Sequence, residues 1–274
     1  MYICFKDGKR KAMTLSYDDG VVQDIRLSEI LKKHGIKCTF NIDSGLFLED
    51  ASTREGYFGR MTREEAVSLY TNSGNEVAVH GFKHKALSRI TLSEATYDVI
   101  KDREELEKIF GFPIRGMAYA YGAYNEDVID VLKNCGIVYS RTTKSTNGFN
   151  LPSNWLELHP TCHHNNPELM NLLDDFLKAD PYPARSMMFY LWGHSYEFDD
   201  NNNWNVIENF AEKAGGDPDV WYATNIEIYD YVNAYRSLIS TVDETVVYNP
   251  TAIDVWVWDG NNKVCIKAGE TYRK

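Results

Sequence analysis

KAMTLSYDDG, residues 11–20, decides how the chain is read. Its apolar half has the composition of a buried strand, and two adjacent carboxylates, Asp18 and Asp19, sit where that strand stops, just before Gly20. Taken alone, Asp-Asp-Gly is a turn more often than a site. At the end of a buried strand it also sets two acids side by side, one able to hold a cation and one left over. The neighbouring elements separate these readings.

Strand-like and helix-like segments alternate outward from this stretch. VVQDIRLSEILKKHG reads as a helix stopped by Gly35, and IKCTFNI (36–42) as a strand. A glycine-containing stretch at 44–60 has no period. Thr62 and Glu65 form a capping box for the next helix, NEVAVH (75–80) is a strand, and Thr91 with Glu94 opens a long amphipathic helix. PIRGMAYAY (113–121) is strand-like. NEDVIDVLKNCG is a helix between Asn125 and Gly136, and GIVYS is a strand. Residues 141–165 read as loop with a short strand near LEL. A helix opening at Pro167, the strand SMMFYLWGH (186–194), the helix VIENFAEKAG, the short strand VWYAT and a last helix from Thr224 complete the series.

This alternation predicts an α/β fold, a distorted (β/α) barrel of about seven parallel strands spanning 1–240. TAIDVWVWDGNNKVCIKAGETY alternates around a DGNN turn, so 241–274 is expected to be a β-rich C-terminal extension built on a hairpin.

The formal charge of −11 over 274 residues argues against a nucleic-acid partner, because phosphate binding needs a basic surface. No apolar run approaches the roughly 18 residues of a membrane span. MYICFKDGKRKAM lacks the pattern of a signal peptide, so a cytoplasmic chain is expected. The five cysteines are widely spaced without CxxC, which argues against a disulfide framework or a structural zinc cluster.

In a β/α barrel, chemistry gathers at the carboxyl ends of the strands. Asp18 and Asp19 end the first strand, His80 ends the third with His84 four residues on, Tyr121 ends the fourth, and His194 ends FYLWGH. A lone HxxxH is often a surface accident and a lone histidine in an apolar strand is usually core. Their recurrence at one edge is hard to reconcile with accident. Two histidines and one carboxylate make an open metal site, with Asp19, His80 and His84 as ligands, zinc as the first choice and cobalt or nickel suited to the same set.

Ser16-Tyr17-Asp18-Asp19-Gly20 resembles the TFDDG motif of the NodB-homology polysaccharide deacetylases, and His80-Gly81-Phe82-Lys83-His84 is similar to their H-S/T-x-x-H motif. CTFNIDSG resembles their second strand, and Trp192-Gly193-His194 their last motif. The resemblance covers roughly 11–240. It implies a metal-dependent hydrolase that removes acetyl groups from an N- or O-acetylated carbohydrate by attack of a metal-bound water. It also implies Asp18 as general base and His194 as the proton donor to the leaving group, the two flanking the ion from opposite sides. The backbone N–H of Tyr121 is a candidate for the oxyanion.

Three departures stand out. The family's R-x-P-Y/F motif aligns Ala118 with its arginine and Ala120 with its proline, which leaves Asp18 without its expected partner; Arg115 lies three residues too early. Gly81 replaces a hydroxyl residue. The Asp-Trp motif is not evident, with Trp155 offered for its aromatic part. HPTCHHNN (159–166) is read as a cleft loop in which His163 or His164 touches substrate, the alternatives being a second metal site, ordinary surface, or a stand-in for the lost arginine. Tyr119, Tyr121, Trp192, Tyr196 and Trp204 are candidates for a sugar-stacking platform, against the plainer reading of aromatic core. The expected partner is an acetylated oligosaccharide or sugar conjugate. A non-sugar linear amide or ureide substrate, or a carbohydrate-binding barrel without turnover, are the competing readings.

Overall fold

The computed structural model describes residues 1–54, 59–181 and 185–274. In chain order the first half holds β1 (Tyr2–Ile3), β2 (Lys11–Asp18), α1 (Gln23–Lys33), β3 (Cys38–Ile42), α2 (Arg63–Tyr70), β4 (Glu76–Val79), α3 (Leu92–Phe110), β5 (Gly116–Ala118) and α4 (Glu126–Asn134). Then follow β6 (Tyr139–Arg141), β7 (Cys162–His163), α5 (Leu169–Lys178), β8 (Met187–Gly193), α6 (Glu197–Asp200), α7 (Asn205–Ala214), β9 (Val220–Tyr222) and α8 (Asn225–Arg236). The C-terminal strands are β10 (Ile239–Ser240), β11 (Val246–Tyr248), β12 (Val255–Trp258), β13 (Lys263–Ile266) and β14 (Thr271–Arg273).

Seven parallel strands run in the order β6-β5-β4-β3-β2-β8-β7 and curl into a half-barrel, as the alternation predicted. β9 pairs with the first residues of β2, Lys11 to Met13, below the stretch Leu15–Asp18 that pairs with β3. Between the two sheet edges, Leu158 forms a parallel bridge with Arg141 of β6, and Cys162 and His163 pair with β8. The strand expected near LEL is this single bridge, preceded by a 3-10 turn at Trp155–Glu157.

Two-residue alternation sorts each strand's side chains. Met13, Leu15 and Tyr17 of β2, Phe40 of β3, Val77 and Val79 of β4 and Leu191 of β8 join a core with Leu27, Leu31, Leu106 and Phe210 of the covering helices. The other face is polar. Thr14 Oγ1 donates to Asn225 Oδ1 (2.8 Å), Asn225 Nδ2 to Tyr190 Oη (2.7 Å), and Asn41 Nδ2 to Ser16 Oγ (2.7 Å). Buried Glu76 accepts from Thr39 Oγ1 (2.8 Å), Tyr139 Oη (2.6 Å) and Ile226 N (2.9 Å). Burial pushes its pKa up to about 7 against those three donors. The first turn of α8, capped by Thr224 and Glu227, thereby plugs the floor of the barrel.

The capping boxes at Thr62 and Thr91 form as expected. α5 begins at Leu169, two residues beyond Pro167. The short helix α6 after β8 was not anticipated. Of the 44–60 stretch, residues 55–58 lie outside the described residues, and Ser44–Leu46 and Ala51–Thr53 are 3-10 turns. The expected hairpin is β12–β13. It belongs to a three-stranded antiparallel sheet with β1 from the other end of the chain, and β10, β11 and β14 make a second one. Trp256 N donates to Tyr231 Oη (2.9 Å), which seats this extension on α8.

Gly193 closes β8 with no room for a side chain: a Cβ there would lie 2.0 Å from His164 Nδ1. Gly193→Ala must displace the buried His164 ring. The expected loss is about 1–3 kcal/mol, as for other overpacked sites, read as a lower urea midpoint at unchanged m-value; an unshifted midpoint would show that this packing does not constrain the loop.

Candidate functional site

The inward face of the half-barrel delivers four polar side chains to its rim. Asp18 ends β2, Arg141 ends β6, and His80 and His194 each follow the last residue of their strands, β4 and β8. With Asp19 and His84 they line a cleft of about 600 Å³. Asp19, His84 and Tyr121 all adopt left-handed backbone (φ 86°, 51° and 59°). That is uncommon for residues other than glycine and concentrates where function over-determines the chain.

Ligand-type atoms of Asp19, His80 and His84 lie within 4.8 Å of one another, with His84 Nε2 3.5 Å from Asp19 Oδ1. His80 Nδ1 is 2.9 Å from the Ala118 carbonyl oxygen, so its proton sits there and Nε2 keeps its lone pair for the cleft. Burial lowers the pKa of His80 against the pull of Asp18 and Asp19, and burial beside His80 lowers that of His84 to about 4. Both rings are neutral at pH 7, the form that ligates metal. The donor set therefore fits a divalent ion.

The loop bearing these histidines is tied from α3. Asp102 accepts from the backbone N–H of His80 (3.1 Å), Gly81 (3.0 Å) and Ser44 (2.7 Å), and Asp98 accepts from that of Lys83 (3.1 Å). Gly81 has φ 98°, and a Cβ there would stand 2.7 Å from Asp98 Oδ2. The acidic side chain of α3 occupies the space that a hydroxyl residue would need.

Asp18 is fully enclosed and has the partner that the sequence denied it. Arg141 Nη2 donates to Asp18 Oδ2, and Asn41 Nδ2 donates to Asp18 Oδ1 at 2.8 Å. Burial alone would raise the Asp18 pKa; Arg141, His80, His194 and the Asn41 bond together bring it below the ordinary carboxylate value. Arg141 is the β-register partner of Ala118, so the guanidinium comes from one strand over at the same level. Arg115 instead pairs with Asp230 of α8 (2.6 Å).

His194 Nε2 is 3.7 Å from Asp18 Oδ2, and His80 Nε2 is equally far from it. Asp18 and His194 are therefore neighbours at the rim. His194 Nδ1 lies 3.0 Å from Glu197 Oε1. The other carboxylate oxygen, Oε2, is 2.8 Å from His164 Nε2 and 3.3 Å from His163 Nε2. His163 Nδ1 accepts from the Asn165 N–H (3.1 Å), so its proton sits on Nε2 and points at Glu197. That tautomer closes His163 Nε2 to a metal, and the three imidazoles surround the Glu197 carboxylate, with His194 hydrogen-bonded to it. Burial would raise the Glu197 pKa, but His164, His194 and His163 outweigh it and lower it strongly. Burial would lower that of His194, yet Glu197, Asp18 and Asp19 raise it. Ser195 Oγ fixes the same turn by donating to buried Asp24 (2.6 Å).

His164 is buried, and neither His163 nor His164 lines the cleft, so both stand behind His194 rather than against a ligand. Nor does either replace the missing arginine. Trp155 packs edge-on against Tyr229 in the barrel floor, and Trp204 packs on Phe198 beneath Arg26, so neither is at the rim. Tyr119, Tyr121, Trp192 and Tyr196 do line the cleft. Tyr119 is buried and donates to Leu156 O (2.8 Å), Arg141 lies over the Trp192 ring (4.2 Å), and Tyr121 is 71% exposed with its ring 4.5 Å from that of His84. Arg60, Arg141 and Glu197 were missed. For the last two the signals were an arginine one residue past GIVYS and a glutamate three residues after His194.

Residues 5–140 match the family model described as polysaccharide deacetylase. A putative polysaccharide deacetylase from Mycobacterium smegmatis superposes with TM-score 0.61 at 17% identity, over 86% of this chain and 94% of that one. A family 4 carbohydrate esterase from Streptomyces lividans, in complex with acetate, does so with TM-score 0.50 at 13% identity, over 75% and 88%. The chain spans 61% of the Streptococcus pyogenes deacetylase PplD at 21% identity and TM-score 0.44, with 53% of this chain covered. Comparison with curated protein sequences gives no match.

Arg141→Met strands the Asp18 charge in the interior. At neutral pH this is expected to cost about 3–5 kcal/mol of stability, as for other broken buried pairs. A depressed carboxylate contributes stability above its ordinary pKa and loses it as pH falls through the folded value. The gap between wild type and variant should therefore narrow in acid, measured by urea unfolding across pH; a gap independent of pH would mean that Asp18 is not the group affected.

Proposed function

Taking the chain as a divergent member of the NodB-homology polysaccharide deacetylases, we propose that it is a metal-dependent hydrolase releasing acetate from an N- or O-acetylated sugar. The observation that supports this best is the convergence of Asp19, His80 and His84 within 4.8 Å, beside a carboxylate whose pKa is lowered and a histidine whose pKa is raised.

Asp19, His80 and His84 would hold the ion, zinc by ligand type, with cobalt or nickel compatible. When bound, a divalent ion there supplies Lewis acidity and lowers the pKa of water. Asp18 is the residue to accept a proton: it is charged across the neutral range and oriented by Arg141 and Asn41. His194 is the residue to donate one. Glu197 accepts from its Nδ1, and Glu197, Asp18 and Asp19 favour the imidazolium, the form in which Nε2 also carries a proton. An amine or alkoxide leaves poorly without that proton. Tyr121, at the rim, would present a ring face to a sugar and its N–H to a developing oxyanion. The acetate held by the Streptomyces lividans esterase is the product this reading assigns. The cleft is open and aromatic on one side, which suits an oligosaccharide or sugar conjugate.

Purified protein supplied with zinc or cobalt is expected to release acetate from acetylated glycans, with Asp18→Asn reducing kcat by about 10²–10⁴. Ammonia, urea or formate from linear amides in place of acetate would redirect the assignment, and no release of any of these with metal present would overturn it. The pH dependence gives a second test. A histidine with a raised pKa keeps its proton below that value and loses it as pH rises through it. Glu197→Gln removes the carboxylate that holds the proton, so the alkaline fall of kcat/KM should move to lower pH. An unmoved alkaline limb would remove His194 from the role of acid.

A further inference from the structure

Arg60 stands where a metal centre would least be expected to place a cation. It precedes α2, and its segment is stitched to the Asp-Asp-Gly turn: Met61 N donates to Gly20 O (3.1 Å), Val22 N to Gly59 O (2.9 Å), and Val21 and Arg60 form an antiparallel bridge. The guanidinium donates through Nη2 to Asp19 Oδ1 at 3.1 Å. Nη1 donates to the Asp19 carbonyl oxygen and to Asp43 Oδ2, the latter at 2.7 Å. The Arg60 side chain is only 13% exposed and that of Asp43 is fully enclosed. Asp19 Oδ1 is also the oxygen that His84 Nε2 approaches, at 3.5 Å. One carboxylate oxygen thus faces a resident guanidinium on one side and the ligand histidine on the other.

We propose that Arg60 sets the affinity of the Asp19–His80–His84 centre by sharing Asp19 Oδ1 with the bound cation, so that the site binds its metal more weakly than its three ligands would alone. This rests on the metal-centre reading above. The guanidinium withdraws electron density from a ligand oxygen and repels a divalent ion placed next to it. An outer partner of a metal ligand can instead strengthen binding by aiming that ligand. The backbone of Asp19 is placed without Arg60. Its own N–H is bonded to Asn41 O (2.9 Å), and it leaves β2 directly, flanked by strands β3 and β8. Charge repulsion then outweighs orientation. Asp43 holds Arg60 in place and neutralises it in part, which makes the pair a fixed attenuator of the centre.

The test is metal affinity, independent of turnover. Metal-depleted wild type, Arg60→Gln and the double variant Arg60→Gln/Asp43→Asn are titrated with Co²⁺, following the visible absorption of bound cobalt, and with Zn²⁺ against a chelator. Arg60→Gln is expected to bind at least about tenfold tighter than wild type. The double variant, which leaves no stranded buried carboxylate, covers the case in which the single one fails to fold; it should also bind tighter, by a smaller factor. Equal affinity overturns the proposal. So does a loss of about 10–100-fold, the mark of a partner that only aims its ligand. His80→Ala/His84→Ala separates this from failure of the centre itself: if that variant retains wild-type binding, the ion is elsewhere and both readings fall. If it loses binding while Arg60→Gln stays unchanged, the attenuator alone falls.

Discussion

The contact between Arg141 and Asp18 makes the geometry of the whole sheet visible. In the sheet order, β6 and β2 are four strands apart. At the usual interstrand spacing a flat sheet would separate them by roughly 19 Å. Only a strongly curled sheet brings their ends within reach of one side chain. The pair is enclosed, so it is costly to desolvate, and Arg141 Nε and Nη1 are buried without a hydrogen-bond partner among the described residues. For the carboxylate, Asn41 on β3 supplies a second hydrogen bond, and His80 and His194 stand 3.7 Å from Oδ2. The curl of the sheet and the ionisation of Asp18 are thus two sides of one arrangement.

Around that pair the rim is divided by charge. Asp18 is matched to Arg141, Asp19 to Arg60 and the two ligand-type histidines, and Glu197 to a fan of three imidazoles. The histidines separate accordingly. Burial lowers the pKa of His80, His84, His163 and His164, whereas that of His194, caught between carboxylates, is raised. Groups of one chemical type pushed in opposite directions within one cleft are the pattern by which acid and base duties are told apart.

Most of this was legible in sequence wherever it depended on local pattern. Alternating apolar and polar residues ended at Asp18, His80 and His194, and the strand-end rule put them on one rim. What could not be read depended on contacts between distant segments. β1 pairs with β12, more than 250 positions away, with no local signal for it. Arg60 reaches Asp19 from a stretch with no period. Trp155 was offered for the aromatic part of the Asp-Trp motif, yet it packs edge-on against Tyr229 of α8. His163 and His164 attracted a ligand-binding reading by composition. The contacts of Glu197, on a one-turn helix, show that they serve the site from behind.

Arg141 is instructive because its signal was present and was sought in the wrong place. The arginine was looked for on the β5 motif, and that strand ends in Ala118. Residue parity along β6 marks Tyr139 and Arg141 as inward, since Tyr139 reaches Glu76 in the barrel interior. The register then sets Arg141 beside Ala118. Ala118, with only a methyl group, leaves that level of the interior to its neighbour, while its carbonyl oxygen accepts from His80 Nδ1. Chemistry at a barrel rim constrains where a guanidinium must be in space, and any inward position at the right height on an adjacent strand can supply it. A motif read along one strand registers such a change as a loss; the same residues read across the sheet register it as a shift of one strand.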